Sequence, residues 1–157
     1  MKCKDEADIY KALALDYVPP ELRENMGEIE AAEHGQLPKL VEAKDIRGTF
    51  HCHSTYSDGV NTLEQMALAA SELGWEYLGI GDHSKVATYA GGLTEEKLRK
   101  QLKEIDELNA KLKGFQILKG TECDILPNGD LDWSDKVLSS FEYVVISVHS
   151  SFKNDEK

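Results

Sequence analysis

Residues 47–59 read RGTFHCHSTYSDG. Thr49 to Ser54 is predicted to be a strand, with His51 and His53 two positions apart. On a strand, residues i and i+2 point to the same face. The two imidazoles are therefore expected to grip one cation from one side. Ser57-Asp58-Gly59 is turn chemistry, with Gly59 free to take a positive φ. A turn there lets the Asp58 carboxylate swing back over the strand end. Two histidines on a half-exposed strand beside an ordinary turn read the same way in isolation, so the surrounding chain has to decide.

Moving toward the C-terminus, a regular alternation follows. Thr62 to Leu73 is predicted to be an amphipathic helix, because Leu63, Met66, Ala67, Ala70 and Leu73 recur at the helical period. Thr62 is placed either to cap it or to sit in its first turn, and Gly74 stops it. Tyr77 to Gly81 is short and nearly all apolar, as in a buried parallel strand, and Asp82-His83 lies at its carboxyl end. A loop with Gly91-Gly92 leads to Thr94, a helix cap. The next helix runs to about Leu112, with Leu98, Leu102, Ile105, Leu108 and Leu112 on one stripe. Phe115 to Leu118 is a third strand leading to Gly120-Thr121-Glu122. Pro127-Asn128-Gly129-Asp130 is a turn, Leu131 to Leu138 contains a short helix, and Tyr143 to Val148 is a fourth strand ending at His149. The order β-α-β-α-β-(α)-β with short connections predicts an α/β domain with a parallel sheet.

Toward the N-terminus the pattern is different. Asp5 to Leu15 has helical spacing, and Tyr17-Val18-Pro19-Pro20 breaks it. Glu21 to Glu33 is charged, with only Leu22, Met26 and Ile29 as a seam, and His34-Gly35 ends it. Residues 1–46 are read as a linker or arm and residues 47–157 as the domain proper. His34 reads as a solvated residue near a helix end.

The chain has 157 residues and a formal net charge of −11. That charge argues against a free-standing nucleic-acid binder, which shows a basic footprint. It is compatible with a metal site, and with DNA held by another module. Cys3, Cys52 and Cys123 form no CxxC pair, so a disulfide framework is not expected and a reducing cytoplasm is. Cys52, between the two histidines, is expected to face the opposite side of the strand. The start MKCKDEADIY has no apolar core of a signal peptide, and no apolar run reaches transmembrane length.

Laid side by side, the strand ends carry His51 and His53, then His83, then Glu122, then His149. In α/β sheets and barrels the active site lies at the carboxyl ends of the strands. Imidazole plus carboxylate without a placed thiolate suits Zn, Mn or Fe better than Ca or Mg. Several histidines around a glutamate able to bridge suggest more than one cation. Such a cluster fits phosphoester hydrolysis, because cations acidify water and hold phosphoryl oxygens. Lys85 is near enough in sequence to help neutralise a phosphate, or is a solvated loop lysine. Asp82 either orients His83 or is a turn carboxylate.

These residues resemble the PHP (polymerase and histidinol phosphatase) family of metal-dependent phosphoesterases. His51-Cys52-His53-Ser54 through Gly59 is similar to its first motif and Gly81-Asp82-His83-Ser84 to its second. Gly120-Thr121-Glu122 resembles the bridging glutamate, and Ser147-Val148-His149-Ser150 the third motif. The stretch Asp5 to Gly48, with YVPPELREN and LVEAKDIRG, resembles the connector before the PHP domain of bacterial family-X DNA polymerases, as does SKVATYAGGL after His83. The resemblance implies a manganese-dependent 3′–5′ exonuclease and repair phosphatase acting on DNA 3′ ends. It implies that His51, His53, Glu122 and His149 bind two of three metals (Mn or Zn, with Fe as a third choice), and that Asp58 and His83 help bind the third. It also implies a distorted seven-stranded β/α barrel, of which about four strands are expected here. The later family motifs, an HPTGR-like histidine and an Asp-x-His, have no counterpart, and Ser151 stands where an arginine is frequent. A fragment of a longer protein is therefore expected, with an exposed sheet edge that invites self-association or an incompletely ordered tail. A histidinol-phosphatase-like small-molecule phosphatase and a non-catalytic supporting module stay open as alternatives.

Overall fold

The structure is a computed structural model that describes residues 3–150 and 152. Ser151 and the charged tail Lys153 to Lys157 lie outside the described residues. The chain divides into two compact units, Met1–Glu42 and Ala43–Lys157.

In the first unit, helix α1 spans Ala7–Ala12, shorter than the periodicity of residues 5–15 predicts. Ala14 takes φ 57, which ends the helix. Pro20 opens a 3₁₀ turn, Pro20–Leu22, as a proline lacking its N–H suits a first helical position. Helix α2, Glu28–Glu33, follows. Arg23 ties the unit together by donating to the Val18 carbonyl at 3.1 Å and pairing with Glu6 at 2.7 Å.

Among the described residues, the second unit holds five parallel strands and three α-helices. The strands are β1 Gly48–Cys52, β2 Tyr77–Ile80, β3 Gln116–Leu118, β4 Gly120–Asp124 and β5 Tyr143–Ser147. The helices are α3 Leu63–Glu72, α4 Glu95–Lys111 and α5 Asp135–Leu138. Strand order is β1-β2-β3 in one sheet and β4-β5 in a second, all pairs parallel. Five strands rather than about four arise because the predicted third strand breaks at Lys119. There the backbone leaves β2: the Lys119 N–H donates to the Glu142 carboxylate at 2.8 Å, and the Glu142 N–H donates to the Lys119 carbonyl at 2.8 Å. The two sheets remain joined beyond β2, where Glu122 N–H donates to Asp82 at 3.1 Å and Ser84 N–H donates to Glu122 at 2.9 Å.

Helix α3 starts with a full capping box, the Thr62 side chain accepting from the Gln65 N–H and the Gln65 side chain from the Thr62 N–H. Helix α4 starts with Thr94 accepting from the Lys97 N–H. Leu63, Ala67 and Ala70 of α3 and Ile105 and Leu108 of α4 bury against Leu78, Ile80, Phe115 and Ile117. A second cluster gathers Leu93, Leu98, Cys123 and Trp133. These contacts fix the strands, and so fix where their carboxyl ends lie. Among the described residues, no helix is long and apolar enough to cross a membrane.

Candidate metal centre

The carboxyl ends of β1, β2, β4 and β5 present His51, His53, His83, Glu122 and His149 around one point. Glu122 is the hub, and its carboxylate is only 6% exposed. Its Oε2 lies 3.0 Å from His51 Nε2, 3.4 Å from His53 Nε2 and 3.2 Å from His83 Nδ1. Its other oxygen, Oε1, lies 3.1 Å from His149 Nε2. Asp58 extends the group outward, with Oδ1 2.9 Å from His53 Nδ1 and Oδ2 3.6 Å from His83 Nε2.

His51 reaches this point by a different route from simple strand alternation. It takes φ 61, and the β1–β2 register shifts between Thr49 and Cys52. A bulge of this kind re-aims a side chain. A histidine at positive φ stores strain of about 1–3 kcal/mol, so its surroundings must hold it. The His51 N–H donates to the Tyr143 hydroxyl at 3.3 Å, and that hydroxyl donates to the Ile80 carbonyl at 2.7 Å. Burial pushes the Tyr143 phenol up to about 12, so it keeps its proton at neutral pH. Gly81 leaves the room, since a Cβ there would sit 2.8 Å from the His51 ring.

The loop carrying Asp58 is held from below by Asp82, which is fully buried. Its carboxylate accepts from the Ser54 N–H at 2.7 Å and the Ser54 hydroxyl at 2.6 Å. It also accepts from the Ser57 hydroxyl and the Gln101 amide, each at 2.5 Å. Asp82 therefore ties motif to motif, and its partners are not the His83 ring. Gly59 stays out of the positive-φ region that the turn chemistry predicts. It is needed for close approach, because a Cβ would lie 2.1 Å from the His53 carbonyl oxygen.

The shifts at His83, Glu122 and Asp58 suit cation binding, and that at His149 runs the other way. Burial lowers the pKa of His83, with Glu122 opposing, which keeps its imidazole neutral. Its Nδ1 is buried and has no hydrogen-bond partner among the described residues: the approach to Glu122 is close but misaligned for a bond. Burial pushes the Glu122 carboxyl up, yet the His51 hydrogen bond and the charges of His83, His51 and His149 outweigh it and leave it below its ordinary value. Asp58 behaves alike, burial opposed and exceeded by His53 and then His83. The Asp124 hydrogen bond raises His149. Asp124 Oδ1 lies 2.5 Å from His149 Nδ1, which turns the Nε2 side of the ring toward Glu122. His53 is set the same way by Asp58.

Three overlapping groups can each hold a metal ion, with one ligand atom per residue within 4.8 Å of the others: His51, His53 and Glu122; His53, Asp58 and His83; His83, Glu122 and His149. An orphaned buried imidazole nitrogen and a carboxylate shared by several lone pairs fit divalent cations of the imidazole-binding kind. Lys85 stands apart from this group. Its ammonium is 3.9 Å from Asp132 and lies over the Trp133 ring at 5.8 Å. Cys52 is half-buried and packs against the α3 side of the sheet, and His34 Nδ1 lies 2.6 Å from the Glu30 carbonyl at the end of α2.

Sequence reading misses Asp124, Gln101, Ser54 and Tyr143. Asp124 had a usable signal, two residues after Glu122 on a strand and so on its face. Gln101 had one too, a polar residue on the buried stripe of α4 between Leu98 and Ile105.

The PHP domain family profile matches residues 49–157. Over 151 residues, 96% of the chain, the sequence is 44% identical to the DNA polymerase/3′-5′ exonuclease PolX of Bacillus subtilis (strain 168). The match covers 26% of that protein, so the chain spans about a quarter of the relative's length. With the profile running from the first histidine strand through His149, the chain belongs to the PHP domain family.

Proposed function

We propose that the cluster is the multi-cation centre of a phosphoesterase that processes DNA 3′ ends as a 3′–5′ exonuclease. In this reading residues 1–46 are a connector and residues 47–157 the first part of a distorted (β/α)7 PHP barrel belonging to a family-X repair polymerase of a bacterial cytoplasm. The observation that carries it is Glu122, whose two oxygens face different imidazoles, three on one side and His149 on the other. Such a carboxylate is built to bridge. The name of the Bacillus relative supports nucleotide release as the reaction.

His51, His53, Glu122 and His149 would hold two cations, with His83 and Asp58 contributing to a third. Manganese or zinc suits these ligands best, with iron next. When bound, such cations lower the pKa of water and neutralise phosphoryl oxygens. The chain's own residues orient the set: Asp124 aims His149, Asp58 aims His53, and Asp82 holds the intervening loop. No phosphate contact is needed from Lys85.

The test is release of nucleotides from a 3′-labelled single-stranded oligonucleotide by the cation-loaded chain, with a chelator control. Hydrolysis of a small phosphomonoester without nuclease activity would replace this reading with a histidinol-phosphatase-like one. Cations bound without hydrolysis of either would make the centre a structural support. Self-association through the sheet edge at β5 belongs to the same reading, and a monodisperse monomer by light scattering overturns it.

A further inference from the structure

Tyr89 has no part in the cation set, and its side chain is largely in solvent, 69% exposed. Single exposed aromatics are common and need no explanation. What sets Tyr89 apart is its neighbours and its mounting. Its ring centroid lies 6.1 Å from that of His83 and 6.2 Å from that of His149. It therefore stands at the rim of the cluster, beside the two imidazoles that flank Glu122 on opposite sides. No hydrogen bond from its hydroxyl is found among the described residues.

The loop that carries it is held at both ends. It leaves the site at His83-Ser84 and returns to it, with the Leu93 N–H donating to the His83 carbonyl at 2.7 Å. Between these points the Ala87 N–H donates to Ser84 at 3.2 Å and the Gly92 N–H to Ala87 at 3.0 Å. Lys97 clamps the far side by donating to the Gly91 carbonyl at 2.9 Å. Thr88–Ala90 forms a 3₁₀ turn. In such a turn residues i and i+3 eclipse, so Ala87 and Ala90, both buried, share the inward face and Tyr89 is turned out. A ring held this way loses little freedom when it meets a flat ligand.

We propose that Tyr89 is a positioning residue for nucleotides, stacking on the base attached to the phosphate that the cluster holds. The inference rests on the phosphoesterase reading above and adds to it the substrate's base as a recognised group. A base is separated from its phosphate by one sugar, which suits a ring beside the cluster rather than within it. Stacking on an aromatic side chain tolerates any base, so Tyr89 would favour nucleotides over other phosphoesters without selecting sequence.

The experiment compares the cation-loaded wild-type chain with Tyr89→Ala and Tyr89→Phe on two oligonucleotides. One ends in an ordinary 3′ nucleotide and the other in an abasic deoxyribose. Tyr89→Ala should raise KM for the first about 5- to 150-fold, the range for loss of one stacked base. Its kcat should stay within about twofold, its KM for the abasic substrate should not change, and Tyr89→Phe should restore wild-type values. An unchanged KM in Tyr89→Ala, an equal loss on the abasic substrate, or failure of phenylalanine to rescue would each overturn the proposal. Fluorescence anisotropy of the same oligonucleotides supplies a second readout that needs no turnover. If the wild-type chain hydrolyses no phosphoester, the phosphoesterase reading fails by itself. Weaker binding by Tyr89→Ala of the base-bearing end alone would then still support the stacking role, and equal binding would overturn it.

Discussion

Glu122→Gln is the substitution that tests the centre most directly. Glutamine keeps the length, the shape and one carbonyl oxygen, but it removes the charge and replaces the second acceptor with an NH₂ group. At pH 8 an imidazole of ordinary pKa is mostly neutral, and the His51 hydrogen bond and the raised His149 are what the Glu122 charge supports, so the metal-free protein should lose about 1.5–3 kcal/mol, the worth of a hydrogen bond to a charged group. Cation binding should fall far more. A unit charge pair about 4 Å apart at an effective dielectric near 20 is worth about 4 kcal/mol. For a divalent ion beside a residue only 6% exposed, even that figure, with the ion's second charge left out, corresponds to about 10³-fold in affinity. The assay is thermal unfolding with and without manganese or zinc, alongside metal content by mass spectrometry. A cation at 100 times its dissociation constant stabilises the folded chain by about 2.7 kcal/mol, which for a domain of this size raises Tm by roughly 10 °C. The wild-type chain should show that rise and Glu122→Gln should show none at the same concentration. A variant that kept both its metal content and its thermal shift would refute the bridging role, whatever happened to activity.

Asp124→Asn should weaken cation affinity about 10- to 100-fold without abolishing it, the usual effect of losing the partner that orients a ligating histidine; calorimetric titration that found no change would show that the His149 ring is set by something else. His51→Ala and His51→Gly should both lose metal, yet the glycine variant should be the more stable of the two by about 1 kcal/mol in urea, because glycine takes φ 61 without strain. Equal midpoints would mean that the bulge at His51 stores no strain. Asp82→Ala strips the acceptor from Ser54, Ser57 and Gln101 and should cost about 3–5 kcal/mol of stability, seen as a large drop in the denaturation midpoint; a loss under 1 kcal/mol would show that the loop is held by other contacts.

The α/β order was legible because each helix announced both its face and its ends. Thr62 and Thr94 cap α3 and α4, and the apolar stripes of both helices face the two core clusters, except that Leu73 at the end of α3 is left 67% exposed. The split between β3 and β4 was not legible. Apolar periodicity reports burial, and burial continues across Lys119 into a strand whose five residues are all buried. What changes at Lys119 is the hydrogen-bond partner, from β2 to the Glu142 side chain. That partner is distant in sequence and leaves no mark on the local pattern. The first N-terminal helix was over-read for the opposite reason: its spacing is helical, but a backbone turn at Ala14 ends α1 early.

At the centre, the convergence of His51 and His53 was foreseen by a rule that the backbone does not follow. A regular strand would have placed both rings on one face by alternation alone. Instead His51 sits in a bulge at positive φ, and its ring reaches Glu122 only because Gly81 leaves space and Tyr143 holds its N–H. Residue type and the four strand ends together could indicate that the two imidazoles meet a shared carboxylate. They could not indicate the backbone route, which is set by long-range contacts from β2 and β5. The same distinction explains Asp82. Its adjacency to His83 suggested a partner for that ring, whereas the folded chain points its carboxylate the other way, into donors from the loop after β1 and from α4. Sequence neighbours share a strand end, but on a strand they face opposite sides. The residue beside a ligand is thereby placed to anchor the scaffold from behind, and here it anchors the loop that presents Asp58.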